Sequence, residues 1–225
     1  MTIFAAAFAD QPDLDALSPA ARRVLATSAA LFFQDGAAHT SVRELTKACG
    51  LSPGALYNHF PSRDELLFTI VRHGHNRMRR RIDTALHDAG AAPVDGFRAY
   101  VGAYVAGHVD QPELAQLVRH EYLHLSPDHY AEIVAVRRAT RRTLTGFIRA
   151  GASDGTFRLI GDAVGQTLMI LDMCSRTSDW FDRSRHTDPA EIVNRYVEAA
   201  LRLVGADSGQ FGPQWSVATD HCRRN

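Results

Sequence analysis

The sequence has almost no lysine: one residue, Lys47, stands against 24 arginines. Cysteine is scarce, and the three present, Cys49, Cys174 and Cys222, are an odd number scattered over 225 residues. Such a set builds no disulfide framework of the kind small secreted domains need. No apolar run approaches the ~18 residues of a membrane span. The chain opens on the apolar stretch Met1 to Ala9, which lacks a basic leader and runs into acidic residues, so it reads as a loose tail rather than a targeting signal. Net charge is missing too, since 25 basic and 25 acidic side chains cancel. With 45 % hydrophobic and 22 % charged residues, the composition is that of a globular protein with enough chain to bury a core. These features argue against secreted, membrane, collagen-like and disordered classes. A cytoplasmic protein is the expectation.

Strand alternation is also lacking, and nearly every segment reads at helical period. Ala21, Leu25, Ala29 and Phe32 recur at almost every fourth position between Ala20 and Gln34, after Ser18-Pro19 as cap and first turn and before Gly36 as a stop. A short helix follows from Thr40 or Ser41 to Gly50, and another from Ser52-Pro53 to Phe60. Pro61 to Glu65 then cap a long fourth helix that runs to Leu86 or His87. Proline and glycine punctuation marks five more, near 94–109, 112–124, 127–150, 162–180 and 189–204. The fold class is therefore all-α, with about nine helices. Residues 1–17 are expected as a flexible tail, 18–65 as one small domain, 66–205 as a larger one, and 206–225 as a Gly/Ser/Gln-rich tail.

Charge is unevenly placed. Residues 18–82 carry ten basic side chains against four acidic, a net of +6 that the rest of the chain balances. This asymmetry points the amino-terminal third toward a polyanion. Within it, Cys49-Gly50-Leu51 joins two short helices through a turn whose glycine can take φ > 0. Leu45 and Cys49 would face Leu56 and Phe60 across that turn. This is the build of a helix-turn-helix, whose second helix enters the DNA major groove.

The run Leu31-Phe32, Gly36, Thr40 to Leu45, Gly50-Leu51-Ser52 and Gly54 to Leu67 resembles the DNA-binding domain of the TetR/AcrR family of bacterial regulators. Ser28, Thr46 and Cys49 stand where that family prefers alanine, Pro53 where it has a polar residue, and Arg63 where it has lysine. Pro53 offers no side-chain donor and no amide for base reading. Tyr57 and His59 can donate to phosphates, and Asn58 suits an adenine edge or a phosphate. Gly54 and Ala55 let the backbone approach the groove floor. Thr40 and Ser41, at a helix start, suit another phosphate, and Arg63 a further one. Arg43 and Ser52 complete the expected DNA-binding set.

A rival motif is His120-Glu121-Tyr122-Leu123-His124, a literal H-E-x-x-H of the kind that binds zinc in peptidases. The extended form fails, because Pro127 and Tyr130 occupy the further glycine and histidine places. A metal-responsive site from His120 and His124 with Asp128 or His129 is the better form of this alternative; no metal or other cofactor is expected. His73 and His75 are read as solvent-exposed. Cys174 is read as a buried inert thiol and Cys49 as a packing residue.

In TetR-like proteins the second domain binds an effector and dimerises. Pro112-Glu113-Leu114, Leu125-Ser126-Pro127 and Gly151 to Phe157 are similar to repressors of steroid and fatty-acid breakdown, which implies acyl-CoA effectors. Aromatic and methionine residues between helices can line an apolar pocket. Candidates are Phe97, Tyr100, Tyr104, Leu117, Tyr122, Phe147, Met169 and Met173, with His108, Arg119, His120 and Arg149 to meet an acidic group. A homodimer seam is expected from Leu168, Leu171, Trp180, Ile192, Tyr196, Ala199 and Leu203. The expected partners are thus operator DNA, a second copy of the chain and a small acidic effector, with no membrane.

Overall fold

The computed structural model describes residues 3–9, 11–182, 184 and 188–206, and every regular element among them is helical. A short helix α1 (Ala5–Phe8) precedes α2 (Pro19–Asp35), α3 (Val42–Cys49), α4 (Pro53–His59) and the long α5 (Arg63–His87). Serine hydroxyls start the last four: Ser18, Ser41, Ser52 and Ser62 each accept the amide three residues on, at 2.9–3.3 Å. At Ser41 the Glu44 carboxylate returns the favour to the cap amide, at 2.7 Å. Gly50 ends α3 in the left-handed region at φ 65°, and the amides of Gly50 and Leu51 close onto the carbonyls of Lys47 and Thr46. That closure sets the angle between α3 and α4.

The larger region comprises α6 (Pro93–Asp110), α7 (Pro112–Glu121), α8 (Pro127–Ser153), α9 (Ala163–Ser175), α10 (Thr177–Trp180) and α11 (Pro189–Leu203). The helix expected over 162–180 ends at Ser175 and resumes as the single turn α10, where the Thr177 hydroxyl donates to the Cys174 carbonyl at 2.7 Å. The helix expected over 112–124 stops at Glu121 and tightens into a 3₁₀ turn over Tyr122–His124.

Two cores hold these helices. One gathers α1 to α4, the first turns of α5 (Leu66 to Val71), and Leu114, Leu117 and Val118 of α7. The other gathers Ile82 with α6, α8, α9 and α11. Helix α5 belongs to both. At Gly74 it meets α7 so closely that a Cβ would lie 2.4 Å from Val118 Cγ2, and at Gly107 a Cβ would lie 2.6 Å from Met78 Cε. Helices α5, α6 and α7 pack at distances that larger residues there would prevent.

The amino-terminal segment is not a loose tail. Phe4, Ala7, Phe8 and Leu14 are buried in the first core, and Phe4 packs edge-on against Phe33. His73 on α5 fastens the segment, with Nε2 2.9 Å from Ala7 O and Nδ1 2.9 Å from an Asp13 carboxylate oxygen. Arg80 holds the same carboxylate at 3.0 Å. His73 is therefore buried rather than exposed. Of the tail expected over 206–225, Ala206 is buried in the second core and the rest lies outside the described residues. Replacing Phe8 by alanine should lower unfolding free energy by about 3 kcal/mol or more. Urea denaturation would reveal it, and a loose segment would give no change.

Candidate DNA-facing surface and effector cavity

Helices α3 and α4 present an outer face made by their caps and polar residues. Ser52, Gly54, Tyr57 and Asn58 are exposed on or at the start of α4, with Tyr57 45 % accessible. Arg43 and Lys47 are exposed on α3, while Leu45, Leu56 and Phe60 are buried beneath them. Ala55 and His59 are half-buried at the edges of this face. Lys47, exposed on α3 and four residues from Arg43, was not among the expected DNA-binding residues.

Two expected phosphate contacts are occupied within the chain. Thr40 is buried and its hydroxyl donates to Gly36 O at 2.9 Å. Arg63 Nε donates to Thr40 O at 2.8 Å, and its guanidinium lies 5.6 Å from the centre of the Phe32 ring. Arg63 thus ties the start of α5 to the turn before α3. Ser41 is exposed, with its hydroxyl engaged by Glu44.

A cavity of about 660 Å³ lies among α5, α6, α7, α8 and α9. Its apolar wall comes from Met78, Tyr104, Leu114, Val118, Tyr122, Tyr130 and Leu168. Its polar wall is cationic. Arg77 and Arg81 come from α5, Arg119 from α7, Arg137, Arg138 and Arg141 from α8, and Arg176 from just beyond α9, against the single acidic lining residue Asp172. Asp110 pairs with Arg81, and Asp179 with Arg119 and Arg176, just behind the lining. Burial, then repulsion from Arg81, pushes Arg77 below the usual guanidinium value. Tyr122 and Tyr130 stack at 5.8 Å between centres, and Arg137 covers Tyr122 at 4.5 Å.

Of the expected effector residues, Tyr104, His108, Arg119, His120 and Tyr122 line this cavity. The others do not. Phe97 packs on Phe157 in the second core, Tyr100 is buried with its hydroxyl on Thr140 O at 3.0 Å, and Phe147 and Met173 pack against that same core. Leu117 lies in the first core. Arg149 and Met169 are turned outward, Met169 with 51 % of its surface accessible. Helical period assigned these residues a face, but which side of α6, α8 and α9 meets the void depends on crossing angles. The arginines at 77, 81, 137 and 141 escaped notice because they converge only across two helices, although each pair has i, i+4 spacing.

His75 also lines the cavity, contrary to the exposed reading. Burial first, then the positive charge of Arg137, holds its pKa down at about 3. His108 is buried, and desolvation followed by Arg119 outweighs its bond to Tyr104 O, leaving a pKa of about 4.

The H-E-x-x-H residues do not form a metal-binding face. Helix α7 ends inside the motif, and the Glu121 carboxylate accepts the Ala37 amide at 2.8 Å, far away in sequence. His129, a candidate further ligand, is bound to Asp64 and stacked on Phe68. Asp64 also accepts from Ser126 N and Oγ, each at 2.8 Å. Burial pushes the Asp64 carboxyl up, but the bonds from Ser126 and His129 outweigh it and hold it below the ordinary carboxylate range. Among the described residues no three His, Cys, Asp or Glu side chains gather as a metal site.

Apolar side chains are left open on α9 and α10, where Val164, Leu168, Met169 and Trp180 are 40–51 % exposed and Leu168 also borders the cavity. Tyr196 stacks on Trp180 at 6.4 Å, while Ala199 is half-buried on α11. Leu171 and Leu203 pack partly against the second core, and Ile192 is buried in it, so Ile192 belongs to the fold of one chain.

Comparison with known proteins places these features. Residues 24–70 match the family profile for bacterial regulatory proteins of the tetR family, and residues 90–204 match the tetracyclin repressor-like C-terminal domain. A crystal structure of a tetR-family regulatory protein from Rhodococcus RHA1 superposes with a TM-score of 0.77 at 36 % identity, over 84 % of this chain and 99 % of that one. The transcriptional repressor KstR2 of Rhodococcus jostii is 26 % identical over 79 % of this chain and 87 % of its own length. AibR, solved in complex with isovaleryl coenzyme A and operator DNA, shares the fold, with TM-score 0.72 at 22 % identity over 84 % of this chain and all of that one. Two uncharacterized HTH-type regulators of Bacillus subtilis are matched over only 34 % and 20 % of their own lengths.

Because their native pKa values lie below the ordinary histidine value, His75 and His108 should remain neutral at pH 5. Unfolded histidines protonate near pH 6.5, so the unfolded chain binds more protons and stability should fall as pH drops from about 6.5 toward 4. Imidazole resonances in a pH titration, followed with His75→Gln and His108→Gln as assignments, would check both statements.

Proposed function

The chain belongs to the TetR family of bacterial regulatory proteins, and we propose that it is a cytoplasmic repressor that binds a palindromic operator as a homodimer and leaves it when an acidic, partly apolar effector fills the cavity. The leading effector class is an acyl-CoA thioester. The observation that carries this reading is the cavity wall, where seven arginines face one aspartate beside an apolar lining. Phosphates would neutralise the former and an acyl chain would cover the latter. AibR's complex with isovaleryl coenzyme A supports the class.

Binding DNA requires the polar outer face of α3 and α4 to reach two successive major grooves, which one copy of this surface cannot do. The open apolar side chains of Leu168, Met169 and Trp180 are suited to join two copies. Release needs a link between cavity and DNA-facing helices. One segment supplies it: Arg119, His120, Tyr122 and Tyr130 line the cavity, whereas Glu121, Ser126 and His129, interleaved with them, bond to Ala37 and Asp64 at the two ends of the α3–α4 unit. A shift of this segment on ligand binding would move both attachments together.

Operator binding should weaken steeply with salt. Tyr57→Ala should lower affinity on every sequence, and Asn58→Ala should cost ~1–3 kcal/mol and relax preference at one base pair. Fluorescence anisotropy on operators recovered by genomic selection would measure both; recovery of no palindrome would sink the repressor reading. Leu168→Arg should turn a sedimenting dimer into a monomer and abolish operator binding.

Dodecanoyl-CoA should release the operator from the wild type. Glu121→Ala should bind the thioester as tightly as the wild type but couple it to release less strongly, losing part of the ~1–3 kcal/mol typical of such coupling. Glu121→Gln, which keeps an acceptor for the Ala37 amide, should behave as the wild type. Equal coupling in all three proteins would remove Glu121 from the route.

A further inference from the structure

The closed end of the cavity, where α5, α6 and α7 meet, carries uncharged polar side chains. His75, His108 and Gln111 line it, next to Met78, Leu114 and Val118. His75 Nε2 and Gln111 Oε1 are screened from solvent, and no protein group bonds to either. Buried polar atoms of this kind cost free energy until something pairs with them.

The protonation pattern at this end is set by neighbouring groups. His108 Nδ1 lies 2.8 Å from Tyr104 O, an atom that can only accept, so Nδ1 carries the proton. With the ring neutral, Nε2 keeps its lone pair and is an acceptor. Gln111 Oε1 is a second acceptor. Charged donors are disfavoured, because Arg119 and Arg137 lower the pKa values of the two histidines and would equally repel an ammonium group. The missing partner is therefore a neutral donor. A ketone or a thioester carbonyl accepts but cannot donate. A hydroxyl donates to His108 Nε2 or Gln111 Oε1 and can at the same time accept where a neutral His75 carries its proton on Nε2, whereas a carbonyl can make only the second of these bonds.

We propose that the closed end of this cavity selects a hydroxyl group on the buried, uncharged part of the effector, so that the ligand is a hydroxylated acyl compound rather than a plain alkyl one. This rests on the acyl-CoA reading for the charged end of the ligand, and concerns the opposite end.

The test is calorimetric titration of the full chain with dodecanoyl-CoA, its 2-, 3- and 12-hydroxy derivatives, and 3-oxododecanoyl-CoA. At least one hydroxylated thioester should bind roughly tenfold more tightly than the unsubstituted one, the gain of one well-placed hydrogen bond. The oxo compound, which can only accept, should gain less than the best hydroxylated one. In Gln111→Met and His108→Phe the ratio of hydroxylated to plain thioester affinity should fall toward one. The proposal is overturned if no hydroxy isomer is preferred, if the oxo compound is preferred over all of them, or if the preference survives both variants. Should no thioester bind at all, the acyl-CoA reading fails by itself. The same comparison with dodecanoic and hydroxydodecanoic acids then decides the hydroxyl, and absence of preference there overturns it too.

Discussion

A hydrogen atom on Gly74 decides how the two regions of this protein meet. Val118 comes so near that a methyl group in its place would lie 2.4 Å from the valine side chain. Because α7 can rest directly on α5 there, the carboxyl-terminal turn of α7 arrives beside the α2–α3 turn, where Glu121 finds the Ala37 amide. The same approach puts Leu114, Leu117 and Val118 into the amino-terminal core. The DNA-facing helices are consequently built on the effector region, and the interface between them is part of a core.

The cavity stores an electrostatic imbalance. Gathering seven arginines in one wall costs repulsion and desolvation that Asp110, Asp172 and Asp179 offset only in part. The burden is visible in the depressed values of Arg77, His75 and His108. An anion entering such a site is stabilised by charges already in position, with little reorganisation to oppose binding. By linkage it would also raise the stability of the folded chain.

How much of this could be read in the sequence depended on the range of the forces involved. The caps at Ser18, Ser41, Ser52 and Ser62 and the turn at Gly50 are local and were legible, since each uses backbone groups within a few residues. The interruption between Ser175 and Thr177 is local as well, but it leaves the hydrophobic period undisturbed and gave no signal. Phe4 and Phe8 occupy too short a stretch for periodicity to register, and their burial depends on His73, more than sixty residues away. Thr40 and Arg63 have side chains suited to phosphate, yet tertiary contacts recruited both to hold the turn before α3. The cavity was half legible: His108, Arg119 and Tyr122 were assigned to it, whereas Phe97 and Leu117 share their chemistry with the lining and differ only in which side of a helix the crossing angles turned inward.

The solitary lysine has a practical corollary. Lys47 stands exposed on α3, while every other side-chain cation in the sequence is arginine or histidine. Amine-directed reagents, which modify most proteins at many places, meet a single side chain here. Apart from the α-amino group, acylation, reductive methylation or attachment of a fluorophore would therefore fall on Lys47 and leave the arginine-lined cavity untouched. The chain carries a built-in address for a reporter, written by the near-total replacement of lysine elsewhere.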